Sequence, residues 1–343
     1  MAIFYDAPVN PTDLTAFVRE VPTPGDATFL NAFPRKDLTT NTIDWAEITK
    51  TNRTARFRSF DARIHVSERD AGSGRSVNLL PLGSSIGVGE YERLQLEFAR
   101  TGGTNAAALA NAVYNDAESL TNEVLNRLDL AWGDVLNDGK LTINEEGYQG
   151  EADFGVPASH KPTAIKLWTD NTAKALTDYL AWNDAYASTN GGVPGAARVS
   201  TRVARLFQTN PEVVAAIHGN TGRTRVTLAQ LNDLLASEGL APVQIMPIKQ
   251  YDVDGVVTPV IADDRILFTP ENLGDLGYTA WGVSATALEL VGSAQADLTF
   301  ENASGIVGVV LKEGPPFRQT TFVDAVAMPV LADAKKLMIA DVA

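Results

Sequence analysis

Two stretches of residues, 41–48 and 54–66, space apolar side chains among polar ones in the manner of extended chain. Ile43, Trp45 and Ile48 belong to the first; Ala55, Phe57, Phe60, Ile64 and Val66 belong to the second. The run Arg69-Asp70-Ala71-Gly72-Ser73-Gly74 then predicts a turn-rich tip. Val77, Leu79 and Leu80 lead the chain back into Pro81-Leu82-Gly83. Residues 28–96 therefore read as an arm, a long two-stranded loop and a return. A two-stranded ribbon is marginal alone in water. One carrying exposed aromatics must lie on another surface, and a second copy of the chain is the simplest candidate.

Helical periodicity dominates elsewhere. A short helix is predicted over 12–20, with Thr12 as its cap and Leu14, Phe17 and Val18 on one face. Gly87-Val88-Gly89 opens a stretch of mixed helical character over 90–100, which Thr101-Gly102-Gly103 breaks. Thr104 then caps the longest helix, running to Asn137, with Leu109, Val113, Leu120, Val124, Leu128, Trp132 and Val135 at helical spacing. At 1.5 Å per residue that helix spans about 50 Å, enough for a spine. Short strands follow at 140–143 and 152–154, then a helix over 170–187 that stops at Asn190-Gly191-Gly192. The middle alternates: a strand at 197–200, helices at 201–207, 210–217 and 227–237, and strands at 243–251, 256–261 and 265–268. The tail is strand-rich at 307–311, 319–328 and 337–342. Pro8, Pro11, Pro22, Pro24 and Pro34 leave the first forty residues little with which to form a core, so they are read as an arm pinned by neighbouring subunits.

Composition narrows the class. A chain of 343 residues holds roughly two domains, and 45% hydrophobic with 20% charged residues is ordinary for a globular protein. There are no cysteines, which removes disulfides, zinc-thiolate sites and thiol nucleophiles together. No apolar run reaches the length of a membrane span, and the first residues lack the basic start and apolar core of a secretory signal. The net charge of −14 argues against a dedicated DNA binder while leaving room for a local contact. Charge is also unevenly placed. Residues 51–80 hold six arginines against Asp61, Glu68 and Asp70, a net of +3, so the remainder carries −17. A basic loop on an acidic body suits self-association by steering; it equally suits a loop that sits in water. The candidate contact residues are Arg53, Arg56, Arg58, Arg63 and Arg69, with Phe57 and Phe60 as apolar anchors.

Catalytic motifs are weak. Gly83-Ser84-Ser85-Ile86-Gly87 matches a nucleophile elbow centred on Ser85, but sits at the root of the ribbon, where a Gly/Ser hinge is the commoner explanation. Residues 134–145 approximate a calcium loop, with Asp134, Asp138, Gly139 and Glu145 in place, yet Leu136 stands where a side-chain oxygen is needed. Asp252-Val253-Asp254-Gly255 reads as a hairpin turn. His65, His160 and His218 are too scattered for a metal site, and Gly219-Asn220-Thr221-Gly222-Arg223-Thr224 lacks the lysine of a phosphate-binding loop. No catalytic residue, metal or cofactor is assigned.

The order of parts, together with several short motifs, resembles the major capsid proteins of tailed bacteriophages, most nearly the phage lambda capsid protein E family. The motifs are the run from Phe29 to Trp45 (Phe-Leu-Asn-Ala-Phe-Pro-Arg-Lys-Asp-Leu-Thr-Thr-Asn-Thr-Ile-Asp-Trp), Leu79-Leu80-Pro81-Leu82-Gly83, Lys312-Glu313-Gly314-Pro315-Pro316-Phe317-Arg318 and Ala327-Met328-Pro329-Val330-Leu331. The resemblance implies an α+β, Hong Kong 97-like fold. Its parts would be an N-terminal arm (1–40), an extended β-hairpin loop (49–90), a peripheral domain carrying the spine helix (41–48, 91–195 and 311–343) and an axial domain (196–310). It further implies hexamers and pentamers tiling an icosahedral shell around double-stranded DNA, assembled in the host cytoplasm, with no membrane partner. A portal protein and weak, non-specific contact with the packaged DNA belong to the same expectation. Because the arm begins at once, a separate scaffolding protein is expected. No lysine occurs between Thr51 and Arg100, so a crosslink from the loop is not expected, and a decoration protein could reinforce the shell instead. Two other readings stay open: an encapsulin-like nanocompartment shell, and a soluble serine hydrolase using Ser85.

Overall fold

A computed structural model of the chain describes residues 9–48, 72–91, 94, 108–145, 148–219, 222–247, 249–253, 255–293, 298–313 and 318–343. Helix α1 (Pro11–Glu20) is capped by Asn10, whose side chain accepts from the Thr12 amide at 2.9 Å, and Pro11 occupies the first turn. The cap is therefore Asn10 and not Thr12, because Pro11 costs no amide at the first helical position and starts the helix one residue earlier. A short helix α2 (Thr28–Ala32) and a three-residue strand β1 (Arg35–Asp37) follow. Strands β2 (Thr42–Ile48) and β3 (Gly72–Asn78) pair antiparallel, and β4 (Pro81–Val88) continues from them.

The spine is α3 (Ala108–Asp138), 31 residues long, and it stops at Gly139 with φ +77°. Its expected cap, Thr104, lies outside the described residues. The hairpin β5 (Lys140–Glu145) and β6 (Tyr148–Asp153) leads to helix α4 (Ala175–Asn190). After that come β7 (Ala196–Val199), α5 (Thr201–Thr209), α6 (Pro211–His218), α7 (Leu228–Ser237), β8 (Val243–Ile245), β9 (Gln250–Val253), β10 (Val256–Pro259), β11 (Arg265–Thr269), β12 (Gly277–Trp281) and α8 (Ala285–Val291). The chain closes with β13 (Val307–Glu313), β14 (Arg318–Leu331) and β15 (Met338–Asp341).

These elements form two main layers of packing. In the first, the fourteen-residue β14 organises a five-stranded sheet ordered β1-β12-β14-β13, with β4 also on β14. One half of β14 is flanked by β13 and β4; the other half carries β12, on which β1 lies parallel. The spine supplies the opposing apolar face through Val113, Leu120, Val124, Leu128, Trp132 and Val135, all buried. Trp132 stacks on Phe33 at 3.5 Å between ring centres and donates Nε1–H to Thr279 Oγ1 at 2.8 Å. The buried carboxylate of Asp129 accepts from the Phe29 and Leu30 amides (3.0 and 2.9 Å) and from the Tyr251 hydroxyl (2.9 Å), so the spine itself caps α2. Burial and the adjoining Asp129 hold the Tyr251 phenol far above its ordinary pKa.

The second core lies under a four-stranded sheet ordered β15-β11-β7-β8 and is aromatic. Phe207 sits 4.7 Å from Trp168 and 5.3 Å from Tyr179, which in turn meets Phe268 at 5.2 Å. Helix α4 starts at Ala175, later than the expected 170, and has no cap of its own. Glu212 of α6 replaces it, accepting from the Leu176 and Thr177 amides at 2.9 and 3.2 Å.

Three expectations change here. Gly72-Ser73-Gly74 is not a tip: these residues pair with Ile48, Glu47 and Ala46 inside the ribbon. Residues 83–87 are not a hinge but the middle of β4, paired with 320–324 of β14. The expected strand 243–251 breaks in two, β8 joining the second sheet and β9 pairing with β10. Buried residues from 164–190 and the last strand β15 pack into the second core.

Candidate assembly surface

The arginine-rich segment that charge singles out springs from a fixed root. Leu79 donates its amide to the Asn41 carbonyl at 2.7 Å and Thr42 Oγ1 donates to Asn78 Oδ1 at 3.0 Å, which sets the ribbon's register. Asn41 ties the root to the body twice, donating to the Val283 carbonyl at 2.8 Å and accepting from the Val283 amide at 2.9 Å. Ile43 is buried beside it. From this root the paired strands reach Ile48 and Gly72, a length of about 24 Å at some 3.4 Å per residue. The predicted contact residues Arg53, Arg56, Phe57, Arg58, Phe60, Arg63 and Arg69 lie in 49–71, outside the described residues. So does the expected strand 54–66.

The same chain presents a surface of opposite sign. Residues 116–153 contain ten acidic residues, one of them the buried Asp129, against Arg127 and Lys140, a net of −8. The spine's solvent face runs through Asn111, Asn115, Glu118, Ser119 and Glu123, all exposed, and continues to the exposed Glu145 and Glu151 of the β5–β6 hairpin. Ser84 Oγ of β4 donates to Glu123. Arg127 pairs with Glu145 at 2.7 Å, and Lys140 bridges Glu151 and Asp153 at 2.7 and 3.5 Å. Neither cation pairs with Glu118 or Glu123 of the spine. Sequence reading overlooked this face, although counting charge along the predicted spine would have found it: the helical period that buries the leucines turns Glu118 and Glu123 outward.

The remaining motifs are occupied structurally. Asp134 accepts from the Thr142 amide and Asp138 from the Lys140 amide, each at 2.8 Å, so the carboxylates of the near-calcium pattern fasten the spine to β5. Burial raises the Asp134 pKa against that hydrogen bond. Among the described residues no group of three or more His, Asp or Glu side chains is placed to hold a metal. Ser85 lies within an uninterrupted strand opposite Phe322, without the strand-turn-helix geometry that exposes a catalytic serine. Asp252 accepts from the Gly255 amide at 2.7 Å in the predicted hairpin turn. His160 is fully buried, with Nδ1 3.0 Å from the Leu337 carbonyl, where it locks the crossing between the two cores.

A sheet built around one long return strand, backed by a spine helix and carrying a projecting ribbon beside a second α/β unit, is the Hong Kong 97-like fold of phage capsid subunits. The crystal structure of a protein assigned as the capsid protein of a prophage in Escherichia coli CFT073 superposes with a TM-score of 0.63 at 15% identity, covering 98% of this chain and 99% of that one. A phage-related protein of Bordetella bronchiseptica RB50 superposes with a TM-score of 0.51 at 13% identity, covering 97% of each. No curated protein matches by sequence. The family model described as phage major capsid protein E matches residues 10–289. The chain belongs to the phage major capsid protein E family, and is thus a structural protein of the virion capsid whose work is assembly into a multimeric shell.

Proposed function

We propose that this chain is the head-shell subunit of a tailed double-stranded DNA phage, forming hexamers and pentamers that close into an icosahedral shell around the genome. The observation that carries the interface is charge complementarity within one sequence: +3 over residues 51–80 and −8 over residues 116–153. In this reading the ribbon of one subunit meets the spine and β5–β6 face of the next, with Arg53, Arg56, Arg58, Arg63 and Arg69 as the cationic partners of Glu118, Glu123 and Glu151, and Phe57 and Phe60 as the apolar anchors. A heterologous contact of this kind generates rings when its rotation closes. The first core corresponds to a peripheral domain and the second to an axial domain. The crossing at His160 and residues 335–337 divides them, so α4 and β15 count with the axial part. A portal, a separate scaffolding protein and a decoration protein are the further partners of this reading, with assembly in the host cytoplasm.

The test is charge reversal. Arg58→Glu with Arg63→Glu blocks particle formation while leaving a folded subunit, and adding Glu118→Lys with Glu123→Lys restores particles in part. Assembly indifferent to both pairs would overturn the interface. Particles that purify with an enzyme cargo in place of double-stranded DNA would assign the fold's other use, a nanocompartment.

A further inference from the structure

We infer that the exposed face of α5 and the segment Gly222–Val226 bind the phosphate backbone of the enclosed DNA; this rests on the shell reading above and names the surface that faces the genome. Residues 198–225 hold five arginines, no lysine and one acid, Glu212, a net of +4 in a chain of −14. That acid is withdrawn, since it caps α4. Arg202 and Arg205 stand one turn apart on the exposed side of α5, opposite the buried Val203, Ala204 and Phe207. The following segment returns to the same helix: Val226 donates its amide to the Gln208 carbonyl at 3.0 Å and Arg225 donates to Gln208 Oε1 at 2.9 Å. Arg225 is thereby tied to the C-terminal end of the helix that carries Arg202 and Arg205, with Arg223 two residues before it.

Their partners decide what they are for. Arg198 is spent internally on the Pro270 and Glu271 carbonyls, and Arg202 on Asp263 at 2.9 Å. The side chains of Arg205 and Arg223 have no ion pair or hydrogen bond among the described residues, and Arg225 reaches only an uncharged amide. Among the described residues no large apolar side chain is exposed between Val193 and Ile245. A protein partner would need an apolar anchor at the centre of such a patch. A patch of arginine forks, threonine hydroxyls and glycine without exposed aromatics suits phosphate oxygens, read without base contact or stacking. The acidic remainder of the chain repels DNA, so contact concentrates where the sign is reversed.

The test uses the full chain held as unassembled subunits, titrated against a fluorescein-labelled duplex of roughly 30 base pairs and mixed sequence, between about 50 and 200 mM salt. Arg205→Glu with Arg223→Glu is expected to weaken binding by about tenfold or more and to lower the salt slope by about 2, equally for any sequence. Arg205→Gln with Arg223→Gln gives the same direction with less risk to folding, and Lys166→Glu, on a different loop, leaves binding unchanged. Unaltered affinity in the arginine variants overturns the inference, as does an equal loss in Lys166→Glu. Variants that keep DNA binding but no longer form particles would make this face a contact between subunits instead. Wild-type subunits that never form particles contradict the shell reading itself, a result distinct from any change in duplex affinity.

Discussion

The core beneath the spine gathers strands from 35–37, 81–88, 277–281 and 307–331, whereas the second core draws all but its closing strand from 164–269. The first is therefore a closure of the whole chain and is complete only when β14 has been laid between β13, β4 and β12. The second is a nearly contiguous α/β unit whose contacts are short in sequence and so cheap in loop entropy. The difference teaches where assembly elements can be attached. The ribbon and the N-terminal helix both grow from the chain-wide core, held by Asn41 on Val283 and by Arg19 on the Asn302, Ser304 and Ile306 carbonyls. Among the described residues, the second core contributes a charged surface and no paired ribbon of comparable length.

The largest effect belongs to the first core. Trp132→Ala is expected to cost about 3–5 kcal/mol in denaturant unfolding, because it empties a fully buried site and orphans the Thr279 hydroxyl. A loss below about 1 kcal/mol would mean that β14 and the spine do not close the molecule. Phe207→Ala should cost about 3 kcal/mol, but confined to the second unit. Trp168 and Trp182 fluorescence would then change at lower denaturant than the far-ultraviolet signal of the remainder, while coincident transitions would show the two cores to be one cooperative unit.

Smaller effects sharpen the joints. Asp129→Ala leaves two amides and the Tyr251 hydroxyl unsatisfied and should cost about 1–3 kcal/mol, with Tyr251→Phe costing less. At the crossing between cores, burial depresses the His160 pKa, so the folded chain holds the ring neutral while the unfolded chain takes up a proton near its ordinary value. Stability is lost as pH falls through about 6.5. His160→Phe should flatten that dependence; an unchanged pH profile would place the titration elsewhere.

The spine is readable from the sequence because Val113, Leu120, Val124, Leu128, Trp132 and Val135 keep helical spacing and face one sheet. Asp-Gly at 254–255 and the Gly191 helix stop are readable because each needs a backbone conformation that glycine supplies, with φ +82° at Gly255 and +75° at Gly191. Strand β12 is not, since Gly277–Trp281 is buried on both faces and lacks alternation. Nor is β4, where Gly83, Ser84, Ser85 and Gly87 look like a hinge and extend only because β14 offers them an edge. The cap of α4 comes from Glu212, 36 residues beyond Leu176, so no local signal could reveal it. Of the assembly surface, the basic segment shows in a plain charge count, while its acidic counterpart shows only when charge is counted along the outward period of the predicted spine.

The central claim is that this subunit completes itself only in a shell of its own copies. Sedimentation velocity of the purified full-length chain, followed by electron microscopy of the fast fraction, tests it most directly. The account predicts closed particles tens of nanometres across, on the order of hundreds of copies. A single species at the 36.7 kDa of one chain, under every condition that keeps it folded, would contradict it.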